Sequence, residues 1–133
     1  FVAAQDRGQT YTHAVEELRQ GCKRSHWMWF VFPQVAGLGS SSMSQMYAIA
    51  SLGEAQAYLR HAVLGPRLIE CARIVANSHA ASAEEIFGGI DALKLCSSMT
   101  LFMRADPDEA VFRQVLDHYC GGGPDAGTDE RLR

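Results

Sequence analysis

The segment Gly21–Gln34 reads GCKRSHWMWFVFPQ. A basic and polar cluster, Lys23-Arg24-Ser25-His26, leads into six consecutive apolar residues, Trp27 to Phe32, and Pro33-Gln34 closes the run. Six continuous apolar residues suit a buried strand as well as a buried helix. The aromatic and β-branched content favours a strand. Ser25 as a cap, Pro33 as a stop and helical signals on both sides favour a helix or a short buried segment. That second reading sets the fold class: all-α, a single compact domain of about six to seven helices.

Helical punctuation continues outward from this block. Tyr11, Ala14, Val15, Leu18 and Cys22 fall on one helical stripe, with Gly21 a natural stop. Ser51–Glu54 and Ser82–Glu85 both fit a capping box, in which a serine and a glutamate satisfy the first turn's N–H groups. Gly65-Pro66 predicts a helix start, because proline at the first position gives up an N–H that has no partner anyway. Asp91 is placed to cap the helix ALKLCSSMTLFMR, and Asp106-Pro107-Asp108-Glu109 reads as the clearest helix start of all. Neither period-two alternation nor a hairpin signal appears. The domain is expected over residues 1–123, with 124–133 a polar, loosely held C-terminal tail. The opening FVAAQ looks like the inside of a helix, so further residues are expected before Phe1.

A chain of 133 residues suits one domain with an adequate core. The net charge of −3 argues against broad nucleic-acid or anionic-membrane binding, which needs a basic face. No apolar run approaches the roughly 20 residues that span a bilayer. Cys22, Cys71, Cys96 and Cys120 lie far apart without a CxxC, which predicts free thiols in a reducing, cytoplasmic setting.

Several blocks carry a resemblance: KRSHWMWFVFPQ, GLGSS at 37–41, YAI at 47–49, EAQAYLRHAVLGPRL at 54–68, IFG at 86–88 and LKLCSSMTLF at 93–102. Together they resemble the uncharacterised bacterial domain-of-unknown-function family 1810, sometimes mislabelled calpastatin. The resemblance implies a small, mostly helical single domain and brings no activity, substrate or catalytic residue. The chain departs from the family pattern at HAVLG, residues 61–65, where His-Pro is expected; this bears on where the next helix starts.

Five constellations stand out, each with a plainer alternative. Lys23, Arg24 and His26 beside a Ser25-capped helix start would gather cationic groups and free N–H groups on a phosphate or carboxylate. Trp27 or Trp29 would then offer a stacking face, with Gln34 on the rim. The plainer reading makes both indoles core and the basic residues solvated. Lys94 and Ser98 sit at i, i+4 and Ser97 at i+3, the spacing of a lysine base and a serine nucleophile. Hydroxyls bonded back to helix carbonyls explain the same residues. Cys22 and His26 would form a thiolate–imidazole or metal pair if one helix spanned them, but no second pair completes a metal site. Arg60, His61 and Arg67 surround a helix start. Asp125 and Thr128 either dock the tail on the body or are linker, and Gly37–Gly39 with its serines lacks the Lys-Ser/Thr ending of a phosphate loop.

The function expected from sequence is a pocket for a small anionic, nucleotide-like ligand, bound by Lys23, Arg24, His26, Trp27, Trp29, Gln34 and Ser97, with no cofactor. A hydrolase or transferase would use His26 as general acid or base, or Lys94 with Ser98. The alternative is a non-catalytic interaction module whose exposed aromatics bind another protein or a second copy in a homodimer.

Overall fold

A computed structural model describes residues 1–39 and 41–132. Ser40 and Arg133 lie outside the described residues, and with them one serine of the 40–42 triplet and the last residue of the tail. The described chain is all-helical, a single compact domain: α1 (Val2–Asp6), α2 (Thr10–Arg19), α3 (Met28–Val31), α4 (Ser42–Met46), α5 (Leu52–Arg60), α6 (Leu64–Ala76), α7 (Ala83–Phe87), α8 (Gly89–Ala105), α9 (Ala110–Tyr119) and α10 (Ala126–Leu132). Six of these, α2, α5, α6, α8, α9 and α10, have seven residues or more, matching the six to seven expected.

The aromatic run folds as a single helical turn. Val31 N–H donates to the Trp27 carbonyl and Phe32 N–H to the Met28 carbonyl, and Pro33 halts it. The chain then extends, and Val35 pairs with Ile49 in an isolated parallel bridge: Ala36 N–H donates to Ile49 O and Ile49 N–H to Gln34 O. This bridge carries the 34–49 segment back across the end of the bundle.

The centre of the bundle is α8. Leu95, Met99, Leu101 and Phe102 are fully buried on it, because α5, α7, α9 and α10 pack around it. A second layer forms where α6 packs against α2, α5 and α9. Gly65 makes the α5–α6 crossing tight: a Cβ there would lie 2.0 Å from the Leu59 carbonyl oxygen. Trp27, Phe32 and Phe87 form one aromatic cluster with ring centroids 6.1–6.3 Å apart.

The local signals held unevenly. Gly21, at φ 74°, closes α2, with Cys22 N–H on Glu17 O and Gly21 N–H on Leu18 O, a Schellman ending. Ser51 and Ser82 cap α5 and α7 through the Glu54 and Glu85 N–H groups. Each glutamate reaches back one residue further than a strict capping box, to Ala50 N–H and Ala81 N–H. The α6 start falls at Leu64 rather than at Gly65-Pro66, because His61 Nδ1 accepts from both Val63 and Leu64 N–H. Asp106-Pro107 does not open α9. Asp106 instead closes a turn, its Oδ1 taking Asp108 N–H and its carbonyl taking Glu109 N–H, and the helix begins at Ala110.

Two larger expectations are corrected. Cys96 and Cys120 form a disulfide between α8 and the end of α9, leaving Cys22 and Cys71 as the free thiols. Four free thiols were expected because the pairing is made by helix packing and not by local spacing. The polar tail folds as α10 and docks on α8. Asp125 N–H donates to Thr100 Oγ1, and Asp125 Oδ2 accepts from Thr128 N–H at 2.9 Å and Thr128 Oγ1 at 2.7 Å. Arg104 grips Asp129 through two hydrogen bonds. Among the described residues no helix is long and apolar enough to cross a membrane.

Candidate functional site

The basic cluster at 23–26 is organised around an internal anion. Glu17 Oε1 accepts from Arg24 N–H at 2.6 Å, Ser25 N–H at 3.0 Å and the Trp27 indole at 3.0 Å, while Ser25 Oγ donates to Oε2. Burial alone would push this carboxyl up. The donors from Ser25, Arg24 and Trp27 outweigh it and hold Glu17 at about 2. Ser25 therefore bonds Glu17 rather than capping α3, and the N–H groups that were to meet a ligand already have a carboxylate. Trp27 is fully buried, in keeping with the plainer reading. Arg24 is exposed and bonds Gln20. His26 is exposed and stands outside the cleft described below. Cys22 and His26 lie beyond the end of α2, so no helix spans them. Among the described residues no three His, Cys, Asp or Glu side chains stand where they could hold a metal ion.

Lys23 turns inward. Its ammonium lies 3.0 Å from Asp91 Oδ2, donates to the Ser25 carbonyl and faces the Trp27 ring at 5.1 Å. Lys94 reaches the same carboxylate from the other side, 3.2 Å from Asp91 Oδ1, and sits 3.8 Å over the Trp29 ring. These are the two lysines of the chain, and both converge on Asp91. The expected cap is thereby corrected: α8 begins at Gly89 with Gly88 as its N-cap and no side-chain cap, and Asp91, inside the first turn, anchors the lysines instead.

Beside Lys94 lies a cleft of about 330 Å³. The 29–48 segment supplies Trp29, Gln34, Val35, Leu38 and Tyr47, the first half of α8 supplies Ile90, Leu93, Lys94 and Ser97, and Asp125 and Gly127 close the end. Five residues singled out in the sequence, Trp29, Gln34, Lys94, Ser97 and Asp125, meet here; Lys23, Arg24, His26, Trp27 and Ser98 do not line it. Ser97 Oγ bonds the Leu93 carbonyl and Asp125 Oδ2. Ser98 Oγ is buried with no hydrogen-bond partner among the described residues, the Lys94 amine included. Tyr47, Ile90 and Leu93 also line it. Their part was hidden in the sequence, although Ile90 and Leu93 are apolar positions left outside the α8 core and are 74% and 70% exposed.

Elsewhere, Gln5 is buried between three partners: its amide donates to Phe30 O and the Tyr58 hydroxyl, and its oxygen accepts from Arg67. Arg67 also pairs with Asp6 at 2.9 Å and stacks on Tyr11. The expected anion contact of Arg67 is thus met within the chain. Burial pushes the Cys71 thiol up to about 12, which makes it inert.

The chain is a compact helical bundle with a small, mostly apolar cleft that carries a lysine. It belongs to the family described as "Protein of unknown function (DUF1810)", whose model matches residues 1–132. It is similar to the conserved hypothetical protein Rv1873 from Mycobacterium tuberculosis, known from a crystal structure. The two share 56% identity at a TM-score of 0.95, over 99% of this chain and 93% of that one. No curated protein matches the chain.

Proposed function

We propose that this protein binds a small anionic ligand in the cleft between the 29–48 segment and α8. The observation that carries the reading is the Lys94 ammonium, laid over Trp29 and set in the wall of a concave, largely apolar site. The geometry favours binding over a serine–lysine reaction. The Lys94 ammonium is engaged by Asp91 at 3.2 Å, and no hydrogen bond joins it to Ser98 among the described residues. A thermal-shift screen with small organic anions tests this, since a ligand of the native state must raise the melting temperature. Lys94→Met should remove the shifts, whereas His26→Ala should leave them. A loss of shifts in His26→Ala alone would return the site to residues 23–26.

The second reading is an interaction module. It is favoured by the exposed side chains Met46, Ile90 and Leu93, which are aliphatic or thioether rather than the aromatic groups expected. Concentration-dependent self-association abolished by Leu93→Glu, with no ligand shift, would support it. A cytoplasmic setting keeps the support of the free Cys22 and Cys71, and the Cys96–Cys120 bond weighs against it.

A further inference from the structure

We infer that the ligand is a small amphipathic carboxylate, an aryl or short-chain acid, with its carboxylate on Lys94 and its apolar body against Ile90 and Leu93. The inference rests on the ligand-binding reading above and names the ligand's chemistry.

Charge comes first. Two ammonium groups, Lys23 and Lys94, share the single carboxylate of Asp91, so these three side chains together carry a net charge of +1. Lys23 is closed off: its side chain is 9% exposed, between Asp91, the Ser25 carbonyl and the Trp27 face. Lys94 alone of the three lines the cleft. A partly buried ammonium in a cluster of net positive charge favours one anionic group beside it. The other charged residue of the lining, Asp125, keeps its negative charge, but its Oδ2 is taken by Ser97 Oγ, Thr128 N–H and Thr128 Oγ1, which hold α10, and it forms no ion pair with Lys94 among the described residues.

The donor count separates a carboxylate from a phosphate. A phosphate carries close to two charges and three acceptor oxygens, and the sites that hold it gather arginines or several backbone N–H groups. Here the lining side chains supply one ammonium, the Gln34 amide and the Tyr47 hydroxyl, the Ser44 hydroxyl being directed at the Ser41 carbonyl. The Ser97 hydroxyl is already directed at the Leu93 carbonyl and Asp125. That set matches a single charge of −1. The remaining wall is Val35, Leu38, Ile90, Leu93 and the Trp29 ring, which asks for an apolar body. The volume of about 330 Å³ stands at the lower end of the usual range of roughly 300–1,000 Å³ for ligand sites. That is too little for a dinucleotide.

The test is titration calorimetry of the full chain at pH 7 with four probes: indole-3-acetate, the matched neutral indole-3-ethanol, inorganic phosphate and adenosine monophosphate. Indole-3-acetate should bind about tenfold or more tighter than the alcohol, as one added charge-assisted contact implies. Lys94→Met should erase that preference while keeping the alcohol's affinity, and Lys94→Arg should restore it. Leu93→Glu, at an exposed position, should weaken both indoles at an unchanged melting temperature. Equal binding of acid and alcohol to the unaltered protein overturns the carboxylate. Binding of phosphate or the nucleotide without the acid overturns the ligand class and leaves the ligand-binding reading standing. If none of the four binds, and none shifts the Trp29 indole signal in an NMR spectrum, both readings fall.

Discussion

Glu17 gathers Arg24 N–H, Ser25 N–H, Ser25 Oγ and the Trp27 indole on one carboxylate. Its folded value of about 2 lies below the ordinary 4.5. The stabilisation is therefore fully present above about pH 4.5 and is lost as pH falls from there toward 2. It is worth on the order of 3 kcal/mol, taken from the size of that shift. Glu17→Gln should cost roughly 3 kcal/mol at pH 7 in urea denaturation, because an amide cannot accept from all four donors. The gap should narrow at pH 2, where the native carboxyl also takes up its proton; an equal cost at both pH values would mean the charge is not what matters. Trp27→Ala should cost about 3–5 kcal/mol, as for other fully buried aromatics. Trp29→Ala should cost about half as much or less, because its ring is only partly covered. The sequence marked the basic and aromatic residues as a group. It did not tell the two tryptophans apart, because six continuous apolar residues carry no period that assigns an inner face. Nor did it reveal that the anion met by Ser25 and Arg24 N–H belongs to α2, since nothing in the local pattern sets Glu17 apart from Glu16.

Among elements, the α5–α6 crossing gives the sharpest contrast. Gly65→Ala places a methyl group 2.0 Å from Leu59 O and should cost roughly 3 kcal/mol or more, since backbone must move. Gly53→Ala, on α5, adds a methyl that meets Ser51 Oγ at 3.8 Å, an ordinary van der Waals contact. It should stabilise by about 0.4–1 kcal/mol through the unfolded chain. Thermal melts of the two variants should move in opposite directions, and a neutral Gly65→Ala would mean the helices separate freely. Helix existence and two serine caps were legible because they depend on neighbours in sequence. The starts of α6 and α9 were not. His61 can serve as a cap through its ring nitrogen, and Asp106 had a competing turn with Asp108 that propensity alone does not rank.

At the scale of the whole molecule, the Cys96–Cys120 bond joins residues 24 apart and fastens the end of α9 to α8. Loop-closure entropy assigns such a bond about 3–4 kcal/mol. A dithiol reductant should lower the melting temperature, and thiol titration of the unfolded chain should give two thiols before reduction and four after it. Four without reductant would remove the bond. Neither this pairing nor the cleft was visible in the sequence as a unit. Trp29, Gln34, Lys94 and Ser97 were each noticed for local reasons, but their meeting depends on the Val35–Ile49 bridge and on α8 lying at the centre.

The convergence of both lysines on Asp91 also makes the chain unusually simple to a chemist's label. Every side-chain amine it owns reports on one address. Lys23 is nearly sealed and Lys94, with a side chain 20% exposed, opens to the cleft. An acylating reagent used sparingly should therefore modify Lys94 well before Lys23, and peptide mass mapping would read the order directly. A compound seated in the cleft should slow that modification, which turns a single amine into a footprint of occupancy.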